Sequence, residues 1–223
     1  MDLRVLTYNV HGRKDDRAAL ASAVRGLRPD VVLVQEAPRR FRWRHGCAAL
    51  ADSVGLVVAA GGLPALGNLI LVDLRLRVLA THCLRYPLTP GRHLRGAAFA
   101  RCAAGGVEFT VSGSHLATDP VERPAQAKHW KAELDAVEGP LIAGGDLNEG
   151  PGGAAWETVA AGLTDTAGGA GAPTYPARSP RTRLDAIFAG PGVEVRSLTV
   201  VDTEETRRAS DHLPVLAELT IPS

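Results

Sequence analysis

The chain has 223 residues, enough for one domain with a sizeable core and too few for two of ordinary size. With 45% hydrophobic and 22% charged residues, its composition is that of an ordinary globular protein. A formal net charge of +1 excludes a uniformly basic surface that would hold long nucleic acid by charge alone, and leaves room for a local basic groove.

Leu3 to Tyr8 alternates apolar and polar residues, which predicts a strand delivering Asn9 and His11 to the loop Asn9-Val10-His11-Gly12. Asp15 or Asp16 is placed to cap a helix in which Leu20, Val24 and Leu27 recur at helical spacing. Val31 to Val34 is a continuous apolar run, as expected of a strand buried on both faces, and it ends in Gln35-Glu36. The pattern then predicts a helix over 41–52 and an extended segment over 54–60. Another strand follows from Gly67-Asn68 to Val72, and two or three strands in hairpins lie between 74 and 111, with Gly105-Gly106 as a turn.

The strand from Glu108 leads into Ser114-His115-Leu116, and Asp119-Pro120 opens a helical segment reaching about Val137, with Gln126, Trp130 and Leu134 along one side. Leu141 to Asn148 reads as a short apolar strand, two glycines and two polar side chains at i and i+2. Glycine there lets backbone or a ligand approach closely. A short helix over 154–161, a surface loop over 166–173, and strands from Arg183 to Phe188 and Val193 to Val201 complete the middle of the chain. Ser210-Asp211-His212-Leu213-Pro214 is a turn before a last strand, since Pro214 cannot donate to a ladder and suits the first residues of one. The segment 202–209 reads only as an acidic and then basic connection.

Three cysteines, at 47, 83 and 102, form no Cys-x-x-Cys pair, so a structural zinc site or disulfide framework is not expected and a reducing cytoplasm is the expected compartment. No run is long enough to span a membrane, and the N-terminus runs into a strand pattern without a signal-peptide core. Lysine occurs only at 14, 128 and 131, against a large excess of arginine. His45, His82, His93 and His129 have no motif around them and read as surface or packing residues, while Trp130 and Trp156 read as core.

Asn9, Glu36, Asn68, His115, Asp146, Asn148, Asp185, Asp211 and His212 all fall at strand ends, which suggests one convergent site. The set is rich in oxygen ligands and has no cysteine, so it suits a hard cation such as magnesium or manganese rather than zinc. Carboxylates around such an ion, with histidines nearby, suit attack of water on a phosphate. A carboxylate bonded to one nitrogen of such a histidine would fix the tautomer and raise the basicity of the ring.

The order and wording of these motifs resemble the endonuclease/exonuclease/phosphatase superfamily of DNase I-like proteins. The matches run from Thr7-Tyr8-Asn9-Val10-His11 through Gln35-Glu36, Gly67-Asn68, Arg95-Gly96 and Ser114-His115-Leu116 to Gly145-Asp146-Leu147-Asn148, Arg183-Leu184-Asp185 and Ser210-Asp211-His212. They cover nearly the whole chain, 1–223, as a single domain.

The resemblance implies an α/β (α+β) fold, a four-layer α-β-β-α sandwich with two packed mixed sheets. It implies a monomeric Mg2+-dependent phosphoesterase (Mn2+ serving as an alternative) acting on a phosphate ester, with nucleic acid or a nucleotide-like diester as the first expectation. A phosphatase or phospholipid or inositol-phosphate phosphoesterase is the second, and a non-catalytic scaffold the third. Asn9, Glu36 and Asp211 would hold the metal, and Asp146 and Asn148 would position or deprotonate water. Asp185 would orient His212, which bonds the phosphate or takes the proton. His115 would bind the phosphate or protonate the leaving group, and Asn68 and Arg95 would line the site.

Two features depart from the family pattern. In the DNase I-like branch an early-strand glutamate pairs with the histidine matching His115, but between 73 and 95 the only acid here is Asp73. Three Trp, three Tyr and four Phe leave little material for a base-stacking platform.

Overall fold

The computed structural model describes residues 1–222. In chain order its elements are β1 (Asp2–Asn9), α1 (Arg17–Leu27), β2 (Val31–Gln35), α2 (Trp43–Val54), β3 (Val57–Gly62), β4 (Asn68–Val72), β5 (Arg77–Arg85), β6 (Gly96–Ala104) and β7 (Val107–His115). They continue with α3 (Arg123–Asp135), β8 (Leu141–Asp146), α4 (Ala154–Ala160), β9 (Thr164–Asp165), β10 (Asp185–Ala189), β11 (Glu194–Val200), α5 (Glu204–Ala209) and β12 (Val215–Thr220). The apolar runs become the inner strands of two six-stranded mixed sheets, ordered β11-β12-β1-β2-β4-β3 and β5-β6-β7-β8-β10-β9. The parallel pairs β1–β2 and β7–β8 hold the centre of each sheet.

Period-two alternation sorts the side chains into three cores. On β1, Leu3 and Val5 face the other sheet and Leu6 and Tyr8 face the helices. On β8, Ile142 faces inward between the sheets and Leu141 and Ala143 face outward. The outer face of the first sheet packs on α1, α2 and α5, and that of the second on α3 and α4. This is the α-β-β-α sandwich expected from the sequence. Trp130 and Trp156 are buried in the outer core of the second sheet, and the Trp130 indole nitrogen donates to Ser112 Oγ at 2.9 Å, which satisfies its one polar atom.

The two glycines of β8 serve the packing. A Cβ on Gly144 would lie 3.0 Å from Leu33 Cδ1 and 2.8 Å from the Ala186 carbonyl oxygen, and a Cβ on Gly145 would lie 1.9 Å from the Ser114 carbonyl oxygen. The close approach anticipated there is therefore made by neighbouring strands and by Leu33, a fully buried inter-sheet residue.

Several boundaries differ from the sequence reading. The helix expected from Asp119 begins at Arg123. Asp119 instead folds its carboxylate back onto the Val121 amide and pairs with Arg92, which stabilises a turn. The region 202–209, read as a connection, contains α5, capped at Thr203 by a reciprocal pair of bonds with Thr206. Six residues with mostly charged side chains carry too little apolar periodicity to announce a helix. The two-residue β9 was likewise not anticipated. The three cysteines are free. No helix is long and apolar enough to cross a membrane.

Candidate active site

The inward-facing parity of the inter-sheet core continues past the last apolar residue of several strands and changes chemistry there. On β7 the series Phe109, Val111, Gly113 ends in His115. On β8, Ile142 and Gly144 lead to Asp146. On β10, Ala189 and Ile187 lead back to Asp185, and on β1, Leu3, Val5 and Thr7 lead to Asn9. Register then aligns them: His115 is the partner of Asp146 across β7–β8, and Asp185 is its partner across β8–β10. In the facing sheet Asn9 is level with Gln35, which brings Glu36 to the same end.

His212 comes from the turn before β12. Ser210 Oγ donates to the Asn9 carbonyl at 2.6 Å, and the amides of Ala177 and Leu213 donate to the backbone carbonyls of Asp211 and Thr174. The imidazole Nδ1 donates to Asp185 Oδ2 at 2.9 Å, and that oxygen also accepts from Thr174 Oγ1 at 2.6 Å. The ring packs on Tyr175, with centroids 4.8 Å apart. Burial alone would lower the pKa of this imidazole. The bond and charge of Asp185, with Asp146 and Asp211 nearby, outweigh burial and raise it to about 10, so the ring is an imidazolium at neutral pH.

Asp146 is the centre of the arrangement. Its Oδ2 accepts from Asn9 Nδ2 at 3.0 Å, lies 3.2 Å from His115 Nε2 and 3.7 Å from His212 Nε2, and its Oδ1 accepts from the Asn148 amide at 2.9 Å. Burial, followed by the charge of Asp185, pushes its pKa up to about 6, against the opposing pull of His212 and the two hydrogen bonds from Asn9 and Asn148. Asn148 adopts φ 50°, and its Nδ2 donates to the Leu116 carbonyl at 3.0 Å.

His115 has a basic partner in place of an acid. Arg95 Nη1 lies 2.9 Å from its Nδ1 and Asn148 Nδ2 lies 2.9 Å from its Nε2. A guanidinium only donates, so Nδ1 carries the lone pair and the ring proton sits on Nε2, facing Asp146, while the Asn148 amide nitrogen donates to Leu116 and makes no hydrogen bond to this N–H. Burial and then the charges of Arg95, His212, Arg39 and His93 hold the pKa well below the usual histidine value. His115 is therefore a neutral imidazole. The missing glutamate partner noted in the sequence is matched in space by Arg95, whose own Nε has no partner.

Asn68 stands slightly apart. It is buried, and its Nδ2 donates to the carbonyls of Ala65 and Gly96, which ties the loop before β4 to the start of β6. Its Oδ1 is unpartnered.

Two groups of ligand atoms merit comparison for a cation. Asp146, Asp185 and His212 offer atoms within 4.8 Å of one another. Of these, Asp185 Oδ2 is already bonded to His212 Nδ1, which orients the imidazole, and Asp146 Oδ2 accepts from Asn9 Nδ2. Asn9 ends β1, Glu36 follows β2 and Asp211 lies in the turn before β12, and each offers a hard oxygen donor. Asn9 Oδ1 accepts only from the His11 amide at 3.0 Å, Glu36 is held at φ 56°, and Asp211 is half exposed with its Oδ1 3.8 Å from His11 Nδ1. Two carboxylates and an amide oxygen with free lone pairs fit Mg2+ or Mn2+.

A cleft of about 690 Å³ opens beside this centre, with Glu36, Arg95 and His115 among its lining residues. The sequence did not mark Thr174, Tyr175, Arg39 or His93 as contributors. His93, read as a surface or packing residue, is exposed and lines the cleft. A histidine or threonine in a loop gives no signal of the neighbour it meets across the fold.

The family model for the endonuclease/exonuclease/phosphatase family matches residues 6–212. No curated protein shows a significant match. Among solved structures, an endonuclease/exonuclease/phosphatase from Bacteroides vulgatus superposes with a TM-score of 0.82 at 18% identity, covering 100% of both chains. The mannosyl-6-phosphatase of Bacteroides thetaiotaomicron gives a TM-score of 0.85 at 18% identity, covering 98% of this chain and 100% of that one. The human Nocturnin catalytic domain gives 0.80 at 18% identity, covering 99% and 95%. At these identities the structural likeness establishes the DNase I-like fold, and the family match carries the assignment further. Its members are phosphoesterase hydrolases that generally use divalent metals. With the motif order, the sandwich and the family match in agreement, the chain belongs to the endonuclease/exonuclease/phosphatase family.

Proposed function

We propose that the protein is a divalent-metal-dependent phosphoesterase that hydrolyses phosphodiesters of a nucleotide-like kind. The observation that carries this reading is the position of Asp146. It is one buried carboxylate with a raised pKa, within reach of two imidazoles of opposite protonation state. A phosphoryl-transfer site needs such a division, with a proton acceptor beside fixed positive charge.

Asp146 takes the proton of the attacking water, because its pKa of about 6 leaves it ionised yet basic near neutrality. His212, already protonated, cannot act as that acceptor. It donates from Nε2 to a non-bridging phosphate oxygen and remains charged through the reaction. Since it stands beside the base, it lies on the side from which water enters, opposite the leaving group of an in-line displacement. His115 offers a neutral N–H, Asn148 shapes the loop that holds the base, and Arg95 supplies charge to the phosphate. Asn68 acts as a positioning residue for the Arg95-Gly96 segment. A magnesium or manganese ion on Asn9, Glu36 and Asp211 would supply Lewis acidity and neutralise charge on the phosphate.

The diester reading is favoured over a monoester by the basic cleft that continues from the site and gives room for a further charged group. The decisive assay offers the purified protein bis-(p-nitrophenyl) phosphate and p-nitrophenyl phosphate with Mg2+, with Mn2+ and with EDTA. The expected result is metal-dependent release from the diester that Asp146→Ala abolishes. Equal turnover in EDTA would overturn the metal-dependent reading, and exclusive hydrolysis of the monoester would replace the diester by a phosphatase substrate.

A further inference from the structure

The net charge of the whole chain is +1, yet the charge of the cleft is strongly one-sided. Six cations line it: Arg13, Lys14, Arg17, Arg39, Arg40 and Arg95. Glu36 is its only acid. Among the described residues none of these six makes an ion pair with a carboxylate. Elsewhere arginines are neutralised, as in Arg92–Asp119, Arg123–Glu149, Arg183–Asp165 and Arg207–Asp202.

The cleft cations come from three separate places, the turn before α1 with the first residue of that helix, the segment between β2 and α2, and the residue before β6. Like charges brought together repel; the Arg13 guanidinium is lowered from its usual pKa first by burial and then by Arg17. Three of the cations are held by neutral backbone groups, Arg17 through an Nε that donates to the Arg13 carbonyl. Arg39 Nη1 donates to the Leu66 and Leu94 carbonyls, and Arg13 Nη1 donates to the Gly46 carbonyl. Such bonds fix a guanidinium without cancelling its charge.

One scissile phosphate carries a single negative charge in a diester, and on the reading above Arg95, His212 and a cation would meet it. Arg13, Arg17, Arg39 and Arg40 exceed that need. We propose that they form a subsite for a second phosphate of the substrate, next to the scissile one, so that preferred substrates carry at least two phosphate groups. This rests on the phosphoesterase reading above. Phe41, 94% exposed on the same cleft, offers a ring face to a base attached to that phosphate.

The test uses two chromogenic diesters, thymidine 5′-(p-nitrophenyl phosphate) with and without a 3′-phosphate, assayed with Mg2+. Wild type should show kcat/KM at least ~10-fold higher for the ester carrying the second phosphate, in line with one or two charge-assisted contacts. In the double variant Arg17→Gln, Arg40→Gln, both exposed positions, that ratio should fall toward one. Hydrolysis of both esters with a wild-type ratio near one would overturn the subsite and leave the phosphoesterase reading intact.

Hydrolysis of neither would count against the phosphoesterase reading, and the subsite is then judged by calorimetric binding of thymidine 3′,5′-bisphosphate against thymidine 5′-phosphate. At least ~10-fold tighter binding of the bisphosphate, lost in the double variant, supports it, and equal affinities overturn it. A thymidine trinucleotide in the same titration distinguishes a strand from a small bisphosphate as the source of the second group.

Discussion

Arg95 Nη1 meets His115 Nδ1 at 2.9 Å, so the second histidine of the site is held by a permanent cation. An acid at this position would make the imidazole a proton donor, whereas a guanidinium makes it a neutral donor of one hydrogen bond through Nε2. The proton inventory of the site follows from this contact and the one between His212 and Asp185.

For His115 the expected result is that nitrogen-detected NMR shows an Nε2–H tautomer and that the ring takes up its second proton only well below the usual histidine range. Arg95→Met should raise its pKa, because one of the depressing charges is gone, and should lower turnover by ~10- to 100-fold. A wild-type ring that titrates near 6.5 would show that Arg95 does not control it.

Asp146 should set the acidic limb of the rate profile. Its raised pKa predicts that kcat/KM falls about tenfold per pH unit below about 6, and Asp146→Ala should cost at least ~100-fold in kcat. The stability consequence has a definite sign. The folded protein holds this proton more tightly than the unfolded chain, so in EDTA its contribution falls as pH rises from 3.8 to about 6. A wild-type acidic limb near 4 would remove Asp146 from the role of base.

These residues differ in how far the sequence could reveal them. Asn9, His115, Asp146 and Asp185 stand at the ends of apolar strand segments, and that placement was legible from the sequence. Their mutual register was not, because it depends on how strands pair across the sheets. Arg95 and His115 are 20 residues apart and Thr174 and Asp185 are 11 apart, and neither pair follows a repeat that periodicity could detect. The helix at Glu204–Ala209 escaped for the opposite reason: it is local, but too short and charged to show an apolar stripe.

His212 should be protonated in the metal-free protein throughout the neutral range. Its pKa is raised from 6.5 to about 10, so its contribution to stability is fully present below 6.5 and is lost as pH rises through about 10. The difference in unfolding free energy between wild type and His212→Gln, measured by urea melts in EDTA, should shrink across that window. His212→Ala should also reduce kcat by at least ~100-fold, and Asp185→Asn should do so through loss of the ring's orientation. A pH-independent difference would show that the imidazole is not charged by Asp185.

The proposed cation site separates from the proton-handling residues by its response to metal. Asp211→Asn removes one charge from the half-exposed oxygen set and should shift the magnesium titration midpoint upward by ~10-fold or more, with kcat at saturating metal retained within a few-fold. Glu36→Gln should raise the midpoint further, since it removes the acid that shares the cleft with His115. Asp146→Asn should instead lower kcat at every magnesium concentration. Metal binding read by calorimetry without substrate makes the distinction independent of turnover: Asp211→Asn and Glu36→Gln should weaken it, and Asp146→Asn should leave it within a few-fold of wild type. Equal titration midpoints in wild type and Asp211→Asn would place the cation elsewhere, with the buried Asp146, Asp185 and His212 group as the remaining set of ligand atoms.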